Sequence, residues 1–330
     1  MPAPDAIIAY LRNMRAALEN EQPEHAAYLF QHAMEWLHRH DSEASSPWPA
    51  VRYSLGIGLH AGRNPKQPNE DYTFAEQLVR SLGSGAQETM GLFVVADGMG
   101  GHTNGQKASR LAVHALVDYL LPQLSSGEDL RGPALKELLV KGVRRANGEV
   151  HRRKEDMGTT LTAVVSVGVQ AYVASVGDSR AYLYRPGYGL AQLTRDHSLV
   201  AAKALSGEIT PEQVYTHPKR NVILRALGEE EVVIDEPARV LLQDGDVLLL
   251  CSDGLWEMVR DPEGEEIAAI LAKAQLSAQA MAKQLVQLAL QGGGHIAREL
   301  GGGHDNVGIV VVRSQIQIAD CETIPLEPLR

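Results

Sequence analysis

The stretch Leu92-Phe93-Val94-Val95-Ala96-Asp97-Gly98-Met99-Gly100-Gly101 sets an apolar run against one carboxylate and then turns on three glycines. A run of this kind, rich in Val and bounded by Gly, reads as a buried strand, and an Asp at its mouth must find a cation or a hydrogen-bond donor. The same order returns at Tyr172-Val173-Ala174-Ser175-Val176-Gly177-Asp178-Ser179-Arg180 and at Val247-Leu248-Leu249-Leu250-Cys251-Ser252-Asp253-Gly254. It appears in reverse at Asp305-Asn306, which lead into Val307-Gly308-Ile309-Val310-Val311-Val312. Four apolar strands thus deliver carboxylates that are expected to converge on divalent cations.

Carboxylates held within a few ångströms of one another cannot all stay ionised without a neutralising cation, because like charges raise each other's pKa. An oxygen-only ligand set selects hard ions such as Mg²⁺ or Mn²⁺, and neither Cys nor His recurs here at zinc-ligand spacing. A loose set also leaves metal positions to water. Two ions sharing a ligand lower the pKa of a bridging water and neutralise a transferring phosphoryl group, which predicts phosphoester hydrolysis without a covalent intermediate.

Other chemistries fit less well. A cysteine phosphatase needs a thiolate in an anion-binding loop ending in Arg, whereas Cys251 is followed by Ser252-Asp253-Gly254, whose carboxylate raises a thiol pKa. A calcium loop gathers its ligands in one twelve-residue stretch, and these Asp residues are spread along the chain. No Gly-rich loop ending in Lys-Ser or Lys-Thr is present, which disfavours a kinase or ATPase. A single Asp-Gly pair is an ordinary turn. The set carries the weight.

The 330 residues, 44% hydrophobic and 22% charged, suffice for a sizeable core. A formal net charge of −10 argues against a nucleic-acid partner, which would require clustered Lys and Arg. Two cysteines, Cys251 and Cys321, give no disulfide framework and fit a reducing compartment. No secretory signal and no membrane-length apolar stretch are apparent, so the expected setting is cytoplasmic, without a membrane partner.

In chain order, Ile7, Ile8, Leu11, Met14 and Leu18 share a helical face, and Ala26, Leu29, Phe30, Ala33 and Leu37 do so again after Pro23. This predicts a helical hairpin over residues 1–40 with an unknown partner, then a polar, proline-broken linker over 41–50. The main domain is expected over 51–313, with a tail at 314–330. Strands are predicted over 51–60 and after Asn69-Glu70-Asp71, helices over 106–121 and 133–154, and an all-strand region over 158–192. The polar segment 194–227, with short helical patterns near 199–205 and 211–215, reads as a lid or substrate-contacting flap. Strands are then expected at 232–234 and 246–251, helices at 263–273 and 278–291, and a last strand at 307–313.

The ordered set comprises Asn69-Glu70-Asp71, Asp97-Gly98-Met99-Gly100-Gly101-His102 with Ala108-Ser109, Met157-Gly158-Thr159-Thr160, Gly177-Asp178-Ser179-Arg180 and Thr194-Arg195-Asp196-His197-Ser198. It continues through Leu224-Arg225-Ala226-Leu227-Gly228, Cys251-Ser252-Asp253-Gly254-Leu255 and Asp305-Asn306. It resembles the metal-dependent type 2C (PPM) serine/threonine protein phosphatases, in their bacterial branch. The resemblance covers about residues 51 to 313 and implies an α+β fold, a four-layer α/β/β/α sandwich of two stacked antiparallel sheets flanked by helix pairs. The amino-terminal hairpin is additional to it.

The resemblance also assigns roles. Asp97 would bridge two catalytic Mn²⁺ or Mg²⁺ ions, the Gly98 carbonyl would bind one of them, and Asp253 and Asp305 would hold the other. Glu70 and Asp71 would contact a metal or its waters. Asp178 would share a third, weaker ion with Asp253. The variable flap would span about residues 195–221. The substrates implied are phosphorylated proteins, the products of a serine/threonine kinase.

Two departures stand out. Lys66 occupies the place of the family's usual phosphate-binding Arg and lacks its bidentate fork, which leaves Arg63 as the alternative phosphate ligand. Met99 stands where eukaryotic relatives have a His proposed as general acid, as it does in bacterial relatives. Thr159, Thr160 and Ser179 read as strand-end residues satisfying backbone groups, Arg180 as a buried partner of a clustered Asp, and His304 as solvated. The competing readings are a pseudo-phosphatase or signalling module acting through the hairpin, and a hydrolase of small phosphate esters.

Overall fold

The computed structural model describes residues 50–63, 68–81, 87–100, 103–126, 130–260, 264–293 and 302–317. The expected hairpin, the linker up to residue 49, Lys66, His102 and residues 318–330 lie outside them. In chain order the elements are β1 (Ala50–His60), β2 (Asp71–Ser81), β3 (Gln87–Met99), α1 (Thr103–Leu124), α2 (Pro133–His151), β4 (Gly158–Thr159), β5 (Leu161–Val167), β6 (Gln170–Val176), β7 (Arg180–Arg185) and β8 (Gly189–Gln192). There follow α3 (Leu199–Leu205), a 3-10 turn (Glu212–Tyr215), β9 (Ala238–Leu241), β10 (Val247–Cys251), α4 (Asp253–Val259), α5 (Glu265–Leu271), α6 (Ala278–Gln291) and β11 (Val307–Gln317).

The strands form two antiparallel sheets, ordered β1-β11-β10-β7-β8 and β2-β3-β5-β6-β9, with β4 paired to β3. Side-chain alternation builds the layers. On β3, Met90, Leu92, Val94 and Ala96 enter a core shared with α1 and α2, through residues such as Ala112, Leu116, Leu135 and Leu139. The intervening Phe93 and Val95 turn the other way and meet Leu248 and Leu250 of β10 and Val310 and Val312 of β11. The opposite faces of those strands, with Val247, Leu249, Ile309 and Val311, pack on Leu255, Ile267, Met281 and Leu285 of α4 to α6. The order is therefore helices, sheet, sheet, helices. Phe93 is fully buried between the sheets and meets the Tyr53 ring edge-on at 5.4 Å, a geometry worth about 0.5–1.5 kcal/mol beyond the area it buries.

Three expectations need correction. Residues 232–234 form no strand; Val232 and Ile234 lean on the α1/α2 core while their backbone stays out of any ladder. Residues 253–259, which the sequence left unassigned, form α4. The last strand continues to Gln317, because Gln317 pairs with Ala50 at the start of β1. Among the described residues no helix is long and apolar enough to cross a membrane.

Candidate active site

The pairing register brings the carboxylates together. Asp97 near the end of β3 lies directly across the ladder from Asp71, the first residue of β2. On the other sheet β10 and β11 are neighbours, and Asp253 follows the first while Asp305 precedes the second. One end of the sandwich thus gathers acidic residues from both sheets.

Polar side chains hold the ends of β2 and β3 in place. The Ser252 hydroxyl donates to Asp71 Oδ2 at 2.6 Å and accepts from the Gly308 N–H at 2.9 Å, linking the sheets beneath the cluster. The Glu70 N–H donates to Asn306 Oδ1 at 2.7 Å, and its carbonyl accepts from the Ser109 hydroxyl and the Gly98 N–H. The Asp97 N–H donates to Thr160 Oγ1, and its carbonyl accepts from Thr160 N and Thr159 Oγ1, so both threonines serve the backbone as expected. Ser252 was not singled out in the sequence. Its role depends on contacts with residues far away in the chain.

Glycine sets how closely the strand ends approach. A Cβ on Gly105 would stand 2.7 Å from the Gly98 carbonyl oxygen and 2.5 Å from Glu70 Oε1, so the start of α1 can lie against that carbonyl only without a side chain. Gly254 meets Asn306 in the same way. The two backbones touch there, holding Asp253 beside Asp305.

The charges in this cluster conflict. Burial, then the neighbouring Asp253 and Asp305, push the Asp71 carboxyl well above the usual range. Asp97 is raised likewise by burial and by Asp71, Asp305 and Asp178, and Asp253 by burial and by Asp305, Asp97 and Asp178. Burial also raises Asp305, against the bond from the Asn306 N–H, while Asp178 is pushed up to about 7 by burial and by Asp196. Three carboxylate oxygens, Oδ1 of Asp71, of Asp178 and of Asp253, are buried without a hydrogen-bond partner among the described residues. A buried anionic oxygen in that state is costly unless a cation satisfies it, so the donor set fits a hard divalent ion. It is an open set. Among the described residues no three His, Cys, Asp or Glu side chains close into a cage.

A linkage prediction follows. A carboxyl whose pKa is higher folded than unfolded favours the folded state at low pH and loses that contribution as pH rises through the folded value. In EDTA the protein should therefore melt at progressively lower temperature from pH 5.5 to pH 8, and Mn²⁺ should restore the loss most strongly at pH 8. Calorimetric melts across that range check it; a flat profile in EDTA would contradict the charge conflict.

The other site candidates separate clearly. Arg63 is exposed, its N–H bonded to the Gly303 carbonyl at 2.7 Å, which holds it beside the loop that leads to Asp305. His304 is exposed and Met99 half-buried. Cys251 is buried, and burial pushes its thiol up, away from nucleophilic chemistry. Arg180 is half-buried and has a different partner. Its guanidinium grips Asp196, at the start of the flap, with Nη2 to Oδ2 at 2.7 Å.

Two sheets sandwiched between helices, with Asp residues at the strand ends, form a scaffold whose acidic end suits divalent cations. The sequence model of the protein phosphatase 2C family matches residues 61–289, and the chain belongs to that family. It is thereby a phosphoprotein phosphatase. It is 42% identical over 182 residues to the serine/threonine phosphatase stp of Listeria monocytogenes serotype 4b (strain F2365), covering 53% of this chain and 71% of that protein. It is 39% identical over 228 residues to the serine/threonine protein phosphatase PstP of Mycobacterium tuberculosis (strain ATCC 25618 / H37Rv), covering 67% of this chain and 40% of PstP. The crystal structure of the PstP catalytic domain in complex with two manganese ions superposes with a TM-score of 0.62 at 30% identity, covering 81% of this chain and all of that one.

Proposed function

We propose that this chain hydrolyses phosphoserine and phosphothreonine on proteins at the Asp71-Asp97-Asp253-Asp305 cluster, with two Mn²⁺ or Mg²⁺ ions as resident cofactors. The observation that carries the reading is the set of buried Oδ1 atoms of Asp71, Asp178 and Asp253 that lack a hydrogen-bond partner among the described residues, on mutually repelling Asp side chains. Asp97, the Gly98 carbonyl, Asp71, Glu70, Asp253 and Asp305 would hold the two ions, with Asp97 common to both, and Asp178 with Asp253 would hold a third, weaker one. When bound, the cations lower the pKa of water held between them and offset charge on the phosphoryl oxygens.

The chain's own groups do the rest. Ser252 and Thr160 hold Asp71 and Asp97 in register. Arg63, beside the Asp305 loop, or Lys66 neutralises the incoming phosphate. Met99 has no proton to give, so protonation of the leaving serine or threonine oxygen would fall to water held by the cations. The flap, about residues 195–221, is read as the segment that contacts the polypeptide around the phosphoresidue, and the substrates as the products of a serine/threonine kinase. Cys251, a free buried thiol, is in keeping with a cytoplasmic setting. The intact Asp set argues against a pseudo-phosphatase.

Phosphate release from a phosphothreonine peptide tests the reading. Turnover is expected with Mn²⁺ or Mg²⁺ and none in EDTA; no turnover with any divalent ion by a folded, metal-binding protein would overturn it.

A further inference from the structure

Trp256 is the point at which α4, the β6–β7 turn and the flap meet. It lies three residues after Asp253 on α4, so the two are on adjacent turns of one helix. Its indole N–H donates to the main-chain carbonyl of Asp178 at 3.0 Å, inside the protein. The Arg180 guanidinium lies over the ring at 3.7 Å from the centroid, and Arg180 is itself anchored by Asp196 and by the Tyr182 hydroxyl. Tyr215, from the 3-10 turn of the flap, meets the indole with centroids 6.1 Å apart. The next residue on α4, Glu257, pairs with Arg220 of the flap.

The Asp178 turn is also held from its other side. The Gly177 N–H donates to His197 Nδ1 at 3.1 Å, and the Gly177 carbonyl accepts from the His197 N–H at 2.9 Å. The Ser179 hydroxyl bonds Thr160 Oγ1 at 2.7 Å. Gly177 and Ser179 are held by other elements and Arg180 pairs with Cys251 in the β7–β10 ladder, and the Trp256 bond adds a direct side-chain link from the Asp178 carbonyl to the helix bearing Asp253. The Asp178 and Asp253 carboxylates each keep a buried oxygen without a hydrogen-bond partner among the described residues.

We propose that Trp256 is a positioning residue that sets the spacing of Asp178 and Asp253, and so the affinity of the weak divalent-cation position between them, and that Tyr215 couples this position to the flap. The inference rests on the reading of Asp178 and Asp253 as ligands. The ring supplies three constraints that an aliphatic side chain lacks: a donor toward Asp178, a π face for Arg180 and an edge contact for Tyr215. Metal occupancy at Asp178 and flap position are then linked, each biasing the other.

Calorimetric Mn²⁺ titration of the full chain tests this, with wild type, Asp178→Asn, Trp256→Phe and Tyr215→Leu compared. Trp256→Phe keeps an aromatic face for Arg180 and Tyr215 but removes the donor together with the second ring of the indole. The expected result is that Asp178→Asn abolishes the weakest site. Trp256→Phe should weaken that site about three- to tenfold, the span of one lost hydrogen bond, and leave the two tighter sites within about twofold of wild type. Tyr215→Leu should weaken the same site selectively, and it carries the test if Trp256→Phe does not fold. A wild-type weak site in Trp256→Phe, or equal weakening of all sites, would overturn the positioning role. Retention of every site by Asp178→Asn would instead overturn the ligand reading beneath it.

Discussion

Asp253→Asn should abolish turnover while raising the melting temperature of the metal-free protein. Asp253 is raised by burial and by Asp305, Asp97 and Asp178, so its charge in the absence of a cation is a net cost to the fold. Asn keeps the shape and removes the charge. Relief of about 1 kcal/mol of repulsion corresponds to about 2–4 °C in a domain of this size. The same substitution removes a proposed cation ligand, and a loss of about 4 kcal/mol of transition-state stabilisation lowers kcat about 10³-fold. Melts in EDTA and phosphate release in Mn²⁺ report the two effects separately. A variant that is inactive and also less stable in EDTA would show that Asp253 supports the fold and would contradict the charge-conflict account.

Gly254→Ala should be nearly as damaging without altering any charge. The added methyl would fall on the Asn306 main-chain oxygen, so the start of α4 and the Asp305-Asn306 turn must separate. Forced overpacking of this kind costs about 1–3 kcal/mol. The separation also moves Asp253 away from Asp305, and activity should fall at least about 10²-fold, in line with displacement of reacting groups by about 1 Å. The readouts are a lower melting temperature and weakened Mn²⁺ binding by calorimetry. A fully active Gly254→Ala would mean that this backbone contact does not set the site.

Much of this architecture was legible in the sequence, for identifiable reasons. β10 and the runs 92–96 of β3 and 309–312 of β11 are apolar because both of their faces are covered, and Asp and Gly mark their ends. Helices α1, α2 and α6 each bury one stripe, so their periodicity is plain. α4 escaped because residues 254–259 are all buried, and a short helix without an exposed face has no amphipathic signal. It also lacks a side-chain cap, since the Ser252 hydroxyl is engaged with Asp71 and Gly308. Val232-Val233-Ile234 misled in the opposite sense, being three β-branched residues with no strand to pair with.

The acidic residues of the site could be read because each stands at the end of a recognisable strand. Their supports could not. Asn306 and Ser109 bond Glu70 from opposite ends of the chain. Arg180 has several nearby carboxylates as possible partners, and only the folded chain selects Asp196 over the cluster. Nothing local in the sequence ties the Trp256 indole N–H to the Asp178 carbonyl, 78 residues away.

The central claim is that two cations share Asp97. Anomalous scattering from a crystal of the full chain grown with Mn²⁺ tests it most directly. Two peaks are predicted, each about 2.0–2.2 Å from an Asp97 oxygen, one also ligated from the Asp71 side and the other by Asp253 and Asp305. Manganese elsewhere, with none at Asp97, would contradict the account.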